Sequence, residues 1–452
     1  MPASLTAVQR LIFSQDPGAL RQLVALLEET ATTPRPSRQL QVHAQLGGLL
    51  QVASHFVPYY RERLPAWCRD GLFDAARITE LPILKRSDLQ EFGAQLENTR
   101  PPEPYRALGS TTTSGSTGTP IITKGHRAAA MMTRAQQIRF QRRFGFDFDA
   151  PCAFLTSPHK PGVADPPEGS VGPAWSAGFG SGPALLLDLM ADTNDQLDWL
   201  IGKRVPYLAT YPSNLQALIQ RSVELGRKPE ALRAIVLSSE PVSPELIALT
   251  RDTWGAQCLA TYSSSEAGLM GSPRVDGGYY VEAEAVHVEV LRDDDTPCGP
   301  GEIGRVVITT LQEFLRPLIR YEVGDYAEVV RDDLADPITL PRLGRVMGRE
   351  RTMILLPDGR RVWPHFEFAP LLSIGGLRKW QLVQHADLSI TARVVGNGAL
   401  GAVLQARIVD VIRSALPGVQ VRIEQVEDIP RTARGKFLEL VSEVGTPDGR
   451  AS

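Results

Sequence analysis

Between residues 152 and 262 the chain alternates short apolar runs with amphipathic segments of helical period. CAFLTSP, ALLLDL, YLATYP, AIVLSSEPV and QCLATYSSSEAG read as strands. NDQLDWLIGK, SNLQALIQRSVELG and SPELIALTRDTW read as the helices between them. Strands separated by helices of this length form parallel βαβ units, because a hairpin leaves no room for a helix. Ligands bind such sheets beyond the carboxyl ends of the strands. Two turns at predicted strand ends therefore stand out, Ser238-Ser239-Glu240-Pro241 and Tyr262-Ser263-Ser264-Ser265-Glu266-Ala267-Gly268.

Ahead of this region lies Thr111-Thr112-Thr113-Ser114-Gly115-Ser116-Thr117-Gly118-Thr119-Pro120. Its glycines permit positive φ, so several N–H groups can turn toward one point. The hydroxyls of Thr113, Ser114, Ser116 and Thr117 add donors around that point. Such a loop suits a polyphosphate; the alternative is a flexible Ser/Thr/Gly linker. It is not a Walker loop, since no Gly-Lys-Ser/Thr follows at the required spacing. RAAAMMTRAQQIRFQRRFGF behind it predicts a helix whose N-terminus lies near the loop.

The flanks differ in character. Residues 1–66 show helical apolar spacing, and residues 278–330 alternate as an antiparallel β region. After MGRERTMILLPDGRRVWP the pattern becomes a small α+β domain of about 100 residues. The expected fold is α/β. A large N-terminal domain, 1–348, has mostly parallel sheets and a β subdomain, and a small mobile C-terminal α+β domain spans 349–452. Gly396-Asn397-Gly398-Ala399-Leu400-Gly401 fits a dinucleotide fingerprint, with Glu424 downstream. Too few residues follow to build the second half of such a sheet, so a strand-to-helix turn is expected there. The segment PHKPGVADPPEGSVGPAWSAGFGSGP reads as a long loop; its Trp175 and Phe179 either line a flat pocket or anchor the loop.

With 48 basic and 51 acidic residues the net charge is 48 − 51 = −3. That offers no basic face for nucleic acid or an anionic membrane. The N-terminal stretch lacks the pattern of a signal peptide, and no apolar run is long enough to span a membrane. The four cysteines are far apart and unpatterned, which predicts reduced cytoplasmic thiols and no zinc site. A cytoplasmic monomer or homodimer acting on small molecules is the expectation.

The loop resembles the phosphate-binding loop T-S-G-[ST]-T-G-x-P-K of adenylate-forming enzymes, the superfamily of acyl-CoA synthetases, peptide-synthetase adenylation domains and luciferases. Ile121 stands where many relatives have Lys, and Lys124 could partly replace it. Four further segments resemble family motifs in the expected order: Tyr262-Ser263-Ser264-Ser265-Glu266, Arg320-Tyr321-Glu322-Val323-Gly324-Asp325, Gly348-Arg349 and Pro430-Arg431-Thr432-Ala433-Arg434-Gly435-Lys436. Ser239-Glu240-Pro241 is similar to the family's adenine-side turn. The chain looks closest to the phenylacetate-CoA ligase-like branch.

The resemblance implies roles for these residues. The nucleotide would be held by Thr113, Ser114, Gly115, Ser116, Thr117 and Gly118, by Ser239, Glu240 and Pro241, and by Tyr262, Ser263, Asp325 and Arg349. Asp325 would accept from the ribose hydroxyls. Glu266 would hold Mg²⁺, and Lys436 would be the catalytic lysine. Trp175, Phe179, Tyr211, Pro212 and Ser238 are the candidate substrate pocket. The implied activity is ATP-dependent activation of a small, often aromatic, acid as acyl-AMP, with CoA as acceptor. An amine acceptor, nitrite activation for an aryl amine, and a catalytically inactive nucleotide-binding scaffold are the alternatives.

Overall fold

The computed structural model describes residues 6–68, 74–112, 121–157, 161–331, 333, 335–349, 353–362, 377–396, 398–431 and 437–444. The chain divides into two compact units. The first comprises residues 1–148, 176–180 and 261–346, and the second 149–175, 181–260 and 347–452.

The second unit carries the predicted βαβ run. Among the described residues its sheet has six strands, in the order Ser170–Ala174, Pro183–Asp188, Cys152–Thr156, Tyr207–Thr210, Ala234–Leu237 and Gln257–Ala260. Five are mutually parallel, and Ser170–Ala174 runs antiparallel along the edge. The inner strands are continuous apolar runs because helices cover the sheet. Leu155, Leu187, Leu208 and Ile235 are buried against Leu197, Leu200, Leu215 and Leu218 of the helices. Local chemistry sets the helix ends. Asp192 caps Thr193–Lys203 through Asn194 N–H, and Ser243 caps Pro244–Trp254 through Leu246 N–H. Gly226 closes Pro212–Leu225 in the left-handed conformation, with φ 63°.

The same unit holds a four-stranded mixed sheet, in the order Val421–Gln425, Ile390–Gly396, Leu377–Gln384 and Leu440–Ser442. Helix Ala402–Ala415 buries Leu404, Ile408 and Ile412 against it. The dinucleotide-like glycines fall between strand Ile390–Gly396 and this helix. The Gln425 side chain binds the turn by accepting from Leu400 N–H and donating to Gly398 C=O. That is the expected strand-to-helix turn.

The first unit begins with helices Ala7–Phe13, Ala19–Thr30 and Arg35–Phe56. Its sheet has seven strands among the described residues, in the order Val286–Leu291, Ile303–Thr310, Tyr321–Val329, Arg342–Arg349, Tyr279–Val281, Gly268–Pro273 and Tyr262–Ser264. The stretch YYVEAEAVHVEVL is not one strand. It breaks between Val281 and Val286, where Glu282 and Glu284 turn inward onto Arg139 of helix Arg127–Arg143.

A short antiparallel hairpin, Gly109–Thr112 with Ile122–Gly125, flanks the hydroxyl-rich loop. No described helix is long and apolar enough to cross a membrane.

Candidate active site

In the first unit, Tyr262 opens the edge strand Tyr262–Ser264 and is buried. Its hydroxyl donates to Oδ2 of Asp325 at 3.1 Å. Asp325 lies in strand Tyr321–Val329 directly after Gly324, whose φ of 85° only glycine adopts without strain. Ser263 pairs with Leu269 across the neighbouring strand and is exposed. The rest of the Arg320–Asp325 motif is structural. Arg320 is buried, pairs with both carboxylate oxygens of Glu289 at 3.1 Å, and donates to the carbonyls of Thr79 and Leu81. Glu322, which departs from the family pattern, pairs with Arg305 of the adjacent strand at 2.7 Å.

Glu266 sits on the tight turn after Ser264, closed by Ala267 N–H donating to Ser264 Oγ at 3.0 Å. Its side chain is 6% exposed and pairs with Arg86 at 3.3 Å. Arg86 opens the short helix Arg86–Glu91. Two residues before it, Leu84 is stitched to strand Tyr321–Val329, donating to Arg320 C=O and accepting from Glu322 N–H. The segment PILKR reads as lead-in from sequence, and nothing in it singles out Arg86.

No group of three or more potential metal ligands occurs among the described residues. A single carboxylate already engaged by a cation fits Mg²⁺ carried in by phosphates and water; it does not make a protein-only metal cage.

Beside Glu266 lies a small open pocket of about 40 Å³, lined by Thr123, Lys124, Ser265, Glu266, Glu313 and Arg316 among others. Thr123 and Lys124 belong to the hairpin strand leaving the hydroxyl-rich loop. Glu97 bridges the two cations, with Lys124 at 2.7 Å and Arg316 at 2.8 Å. Buried His126 caps helix Arg127–Arg143 by accepting from Ala129 N–H, and its Nε2 lies 2.6 Å from Glu313.

In the second unit, Tyr211-Pro212 follows strand Tyr207–Thr210, and Ser238-Ser239-Glu240-Pro241 follows Ala234–Leu237. These strands are parallel neighbours with Thr210 opposite Leu237, so both turns stand side by side at the carboxyl edge. Ser239 is left-handed, φ 74°, a conformation L-residues rarely hold. Glu240 is a hub. It accepts from Ser213 N–H at 2.9 Å, Ser213 Oγ at 3.2 Å and Phe437 N–H at 3.0 Å. Arg431 donates to Ser213 Oγ at 2.9 Å. Burial holds the Arg431 guanidinium below its ordinary pKa, while the Glu240 charge opposes that shift.

Two expected pocket residues are elsewhere. Trp175 donates its indole N–H to Ala150 C=O at 2.9 Å, and its backbone N–H to Gly182 C=O. Both acceptors precede strands Cys152–Thr156 and Pro183–Asp188, so Trp175 lies at the amino edge of the sheet, away from Tyr211, Pro212 and Ser238. Phe179 packs on Phe148 at 5.1 Å under the Arg21 guanidinium. These contacts anchor the long segment at both aromatics.

Thr113, Ser114, Gly115, Ser116, Thr117, Gly118 and Lys436 lie outside the described residues, as does the Arg349 side chain. Arg86, Glu97, Ser213 and Arg316 are the partners that sequence reasoning missed; each is brought in by a contact across the fold.

The fold is that of the adenylate-forming ligases. The chain is similar to 2-hydroxyisobutyryl-CoA ligase in complex with an acyl-AMP, with TM-score 0.71 and 19% identity over 91% of this chain and 90% of that one. It is also similar to the anthranilate CoA ligase AuaEII bound to anthranoyl-AMP, with TM-score 0.56 and 16% identity over 74% of this chain and 66% of that one. A third likeness is to the o-succinylbenzoate CoA synthetase of Bacillus subtilis in complex with AMP, with TM-score 0.52 and 16% identity over 74% and 69%. No family model and no curated protein matches the sequence.

Proposed function

We propose that the protein is an ATP-dependent adenylating ligase. It activates a small aromatic carboxylic acid as acyl-AMP, releases pyrophosphate, and passes the acyl group to CoA. The observation that carries this reading is the Tyr262–Asp325 hydrogen bond, which assembles two separate motif segments in the sheet that also bears Glu266.

The chemistry follows from the residues. Asp325, acceptor-only when ionised, takes the ribose hydroxyls while Tyr262 fixes its orientation. Glu266 with Mg²⁺ would neutralise phosphate charge as the substrate carboxylate attacks the α-phosphorus. Lys436, from the C-terminal domain 349–452, supplies an ammonium at the oxygens that gain charge in that step. Tyr211, Pro212 and Ser238 stand at the carboxyl edge of the parallel sheet, the edge at which such sheets bind ligands. The fold relatives support this assignment, since they hold acyl-AMP or AMP. One 2-hydroxyisobutyryl-CoA ligase structure also contains CoA, and the anthranilate ligase acts on an aryl acid.

Acid-dependent exchange of labelled pyrophosphate into ATP, across a panel of aryl and alkyl acids, tests the first half-reaction. Product analysis with CoA tests the second. Aryl-acid-dependent exchange followed by an aryl-CoA product is the expected result. Absence of exchange with every acid removes the adenylating reading. Exchange without thioester moves the acceptor to an amine.

A further inference from the structure

Tyr262 and Tyr279 stand on the two strands that flank Gly268–Pro273, one on each side. Strands separated by a third lie about 9.5 Å apart. The two rings nevertheless meet, with centroids 6.0 Å apart and planes at 54°, and both are buried. They meet over Gly271. Gly271 is the ladder partner of Tyr262 on one side, and on the other it lies two positions from Pro273, the partner of Tyr279. Ladder partners and residues two apart share a face, so all three positions point the same way.

Two separate features clear this spot. The first is the register. Gly268 pairs with Ser264 and Leu269 with Ser263, so an unbroken ladder would set Met270 opposite Tyr262. A shift of one residue, a bulge, sets Gly271 there instead. The second is the missing side chain. The Gly271 backbone is not in the left-handed region, so its conformation does not call for glycine. The space does. A Cβ at this position would lie 3.2 Å from Cβ of Tyr279 and 3.3 Å from Cβ of Tyr262. Those atoms are the roots of the two side chains and cannot swing aside as a flexible tip can.

The ring seated in this way is the one whose hydroxyl donates to Asp325. Tyr262 is therefore held at two points, at the hydroxyl by Asp325 and at the ring by Tyr279 across Gly271.

We propose that Gly271 and Tyr279 are positioning residues of the nucleotide site: they seat the Tyr262 ring and, through its hydroxyl, set the orientation in which Asp325 meets the ribose. The proposal rests on the adenylating reading and adds to it two residues that lie in none of the motif segments. Bulges next to sites re-aim side chains, and a glycine inside a strand marks a close approach. Here both act on one ring. Tilted aromatic pairs at this separation attract each other, so Tyr279 fixes the angle of the ring as well as its place.

The test is equilibrium dialysis of the full chain with labelled ATP. Gly271→Ala puts a methyl group between the rings and should weaken ATP by a few-fold to about tenfold, the loss of one hydrogen bond. Tyr279→Leu removes the supporting ring and should act in the same direction. Tyr279→Phe keeps that ring and should stay within about twofold of the parent. The decisive readout is coupling. In a Tyr262→Ala background no ring remains to be seated, so Gly271→Ala and Tyr279→Leu should each lose most of their effect. A general loosening of the sheet would add in full. Where Gly271→Ala fails to fold, Tyr279→Leu and its Phe control carry the comparison.

Parent-like ATP affinity in both Gly271→Ala and Tyr279→Leu overturns the proposal, and so does a loss that is undiminished in the Tyr262→Ala background. A parent that binds no ATP removes the adenylating reading instead. Urea unfolding of the same variants then reads the seat without nucleotide: coupled losses of stability keep it, and additive losses remove it.

Discussion

The Tyr262 hydroxyl reaches Oδ2 of Asp325 at 3.1 Å although three strands lie between theirs in the order of the sheet. A flat sheet would hold those strands about 19 Å apart, so the sheet curls to bring them within reach of one hydrogen bond. The contact makes two segments 63 positions apart a single unit: a ring pinned at its phenol end and a carboxylate oriented by it.

The first prediction follows from that unit. Asp325→Ala should weaken ATP binding by roughly 1.5–3 kcal/mol, the range for a hydrogen bond to a charged group. Tyr262→Phe keeps the ring and removes only the donor, so the loss should be smaller, about 0.5–1.5 kcal/mol. Equilibrium dialysis with labelled ATP measures both. Parent-like affinity in Asp325→Ala would make that residue a structural turn acid.

Arg86 leads to a second prediction. In the proposed mechanism Mg²⁺ at Glu266 replaces the guanidinium, so Arg86→Met should lower the Mg²⁺ concentration needed to saturate ATP binding. Glu266→Gln should raise it. Competition between the two cations shows in the midpoint of a Mg²⁺ titration at fixed nucleotide, read by tryptophan fluorescence. An identical midpoint in parent and both variants would remove Glu266 from the metal site.

A third prediction concerns stability and pH. Arg139, 3% exposed, is the shared partner of Glu282 and Glu284, which are buried with it. Removing it leaves buried carboxylates uncompensated, so Arg139→Met should destabilise the first unit by about 3–5 kcal/mol. Burial raises the Glu282 carboxyl above the ordinary range. A raised folded pKa means that the folded state favours the acid form. The Glu282 contribution is thus full below the ordinary carboxylate range and is lost as pH rises through its folded value. Glu284 is also penalised by burial, but the charge and hydrogen bonds of Arg139 prevail and lower it, so its contribution is lost on acidification. Glu282→Gln should therefore gain stability relative to the parent as pH rises above the ordinary carboxylate range. Urea unfolding across that rise in pH gives the answer, and a flat difference would contradict the assignment.

The parallel sheet was legible because its strands are apolar on both faces and its helices carry standard caps; period and punctuation sufficed. Strand Ser170–Ala174 was not, since Gly172 and Pro173 carry no strand signal and only an edge position tolerates them. The VEAEAV stretch was misleading for the opposite reason. Its alternation imitates a half-exposed strand, yet the two glutamates are buried on an arginine from a helix more than 130 positions earlier. The site divides the same way. Tyr262, Glu266, Glu240 and Asp325 were visible as short motifs, whereas Arg86, Glu97, Ser213 and Arg316 matter through partners distant in sequence, which no local pattern encodes.

The last prediction concerns Lys436 and the contacts of the described residues that flank it. Residues on both sides of 432–436 are tied to one place: Arg431 to Ser213 Oγ, and Phe437 N–H to Glu240. Glu240 also fixes Ser213, so a single carboxylate governs both ties. If Lys436 serves adenylation, Lys436→Ala should slow acid-dependent ATP–pyrophosphate exchange at least ~10²-fold, the effect of removing one electrostatic donor at a transition state. Glu240→Ala should impair the same step by loosening the segment that carries the lysine, and Glu240→Gln, which keeps an acceptor oxygen, should recover part of it. Neither substitution removes a group that the proposed mechanism uses once acyl-AMP exists. Supplied with preformed acyl-AMP and CoA, both variants should still form thioester. Single-turnover rates for the two half-reactions separate the cases. Equal loss in both would mean that the Glu240 ties persist through transfer. No loss in either would make Lys436 an ordinary solvated lysine and Glu240 a plain turn acid.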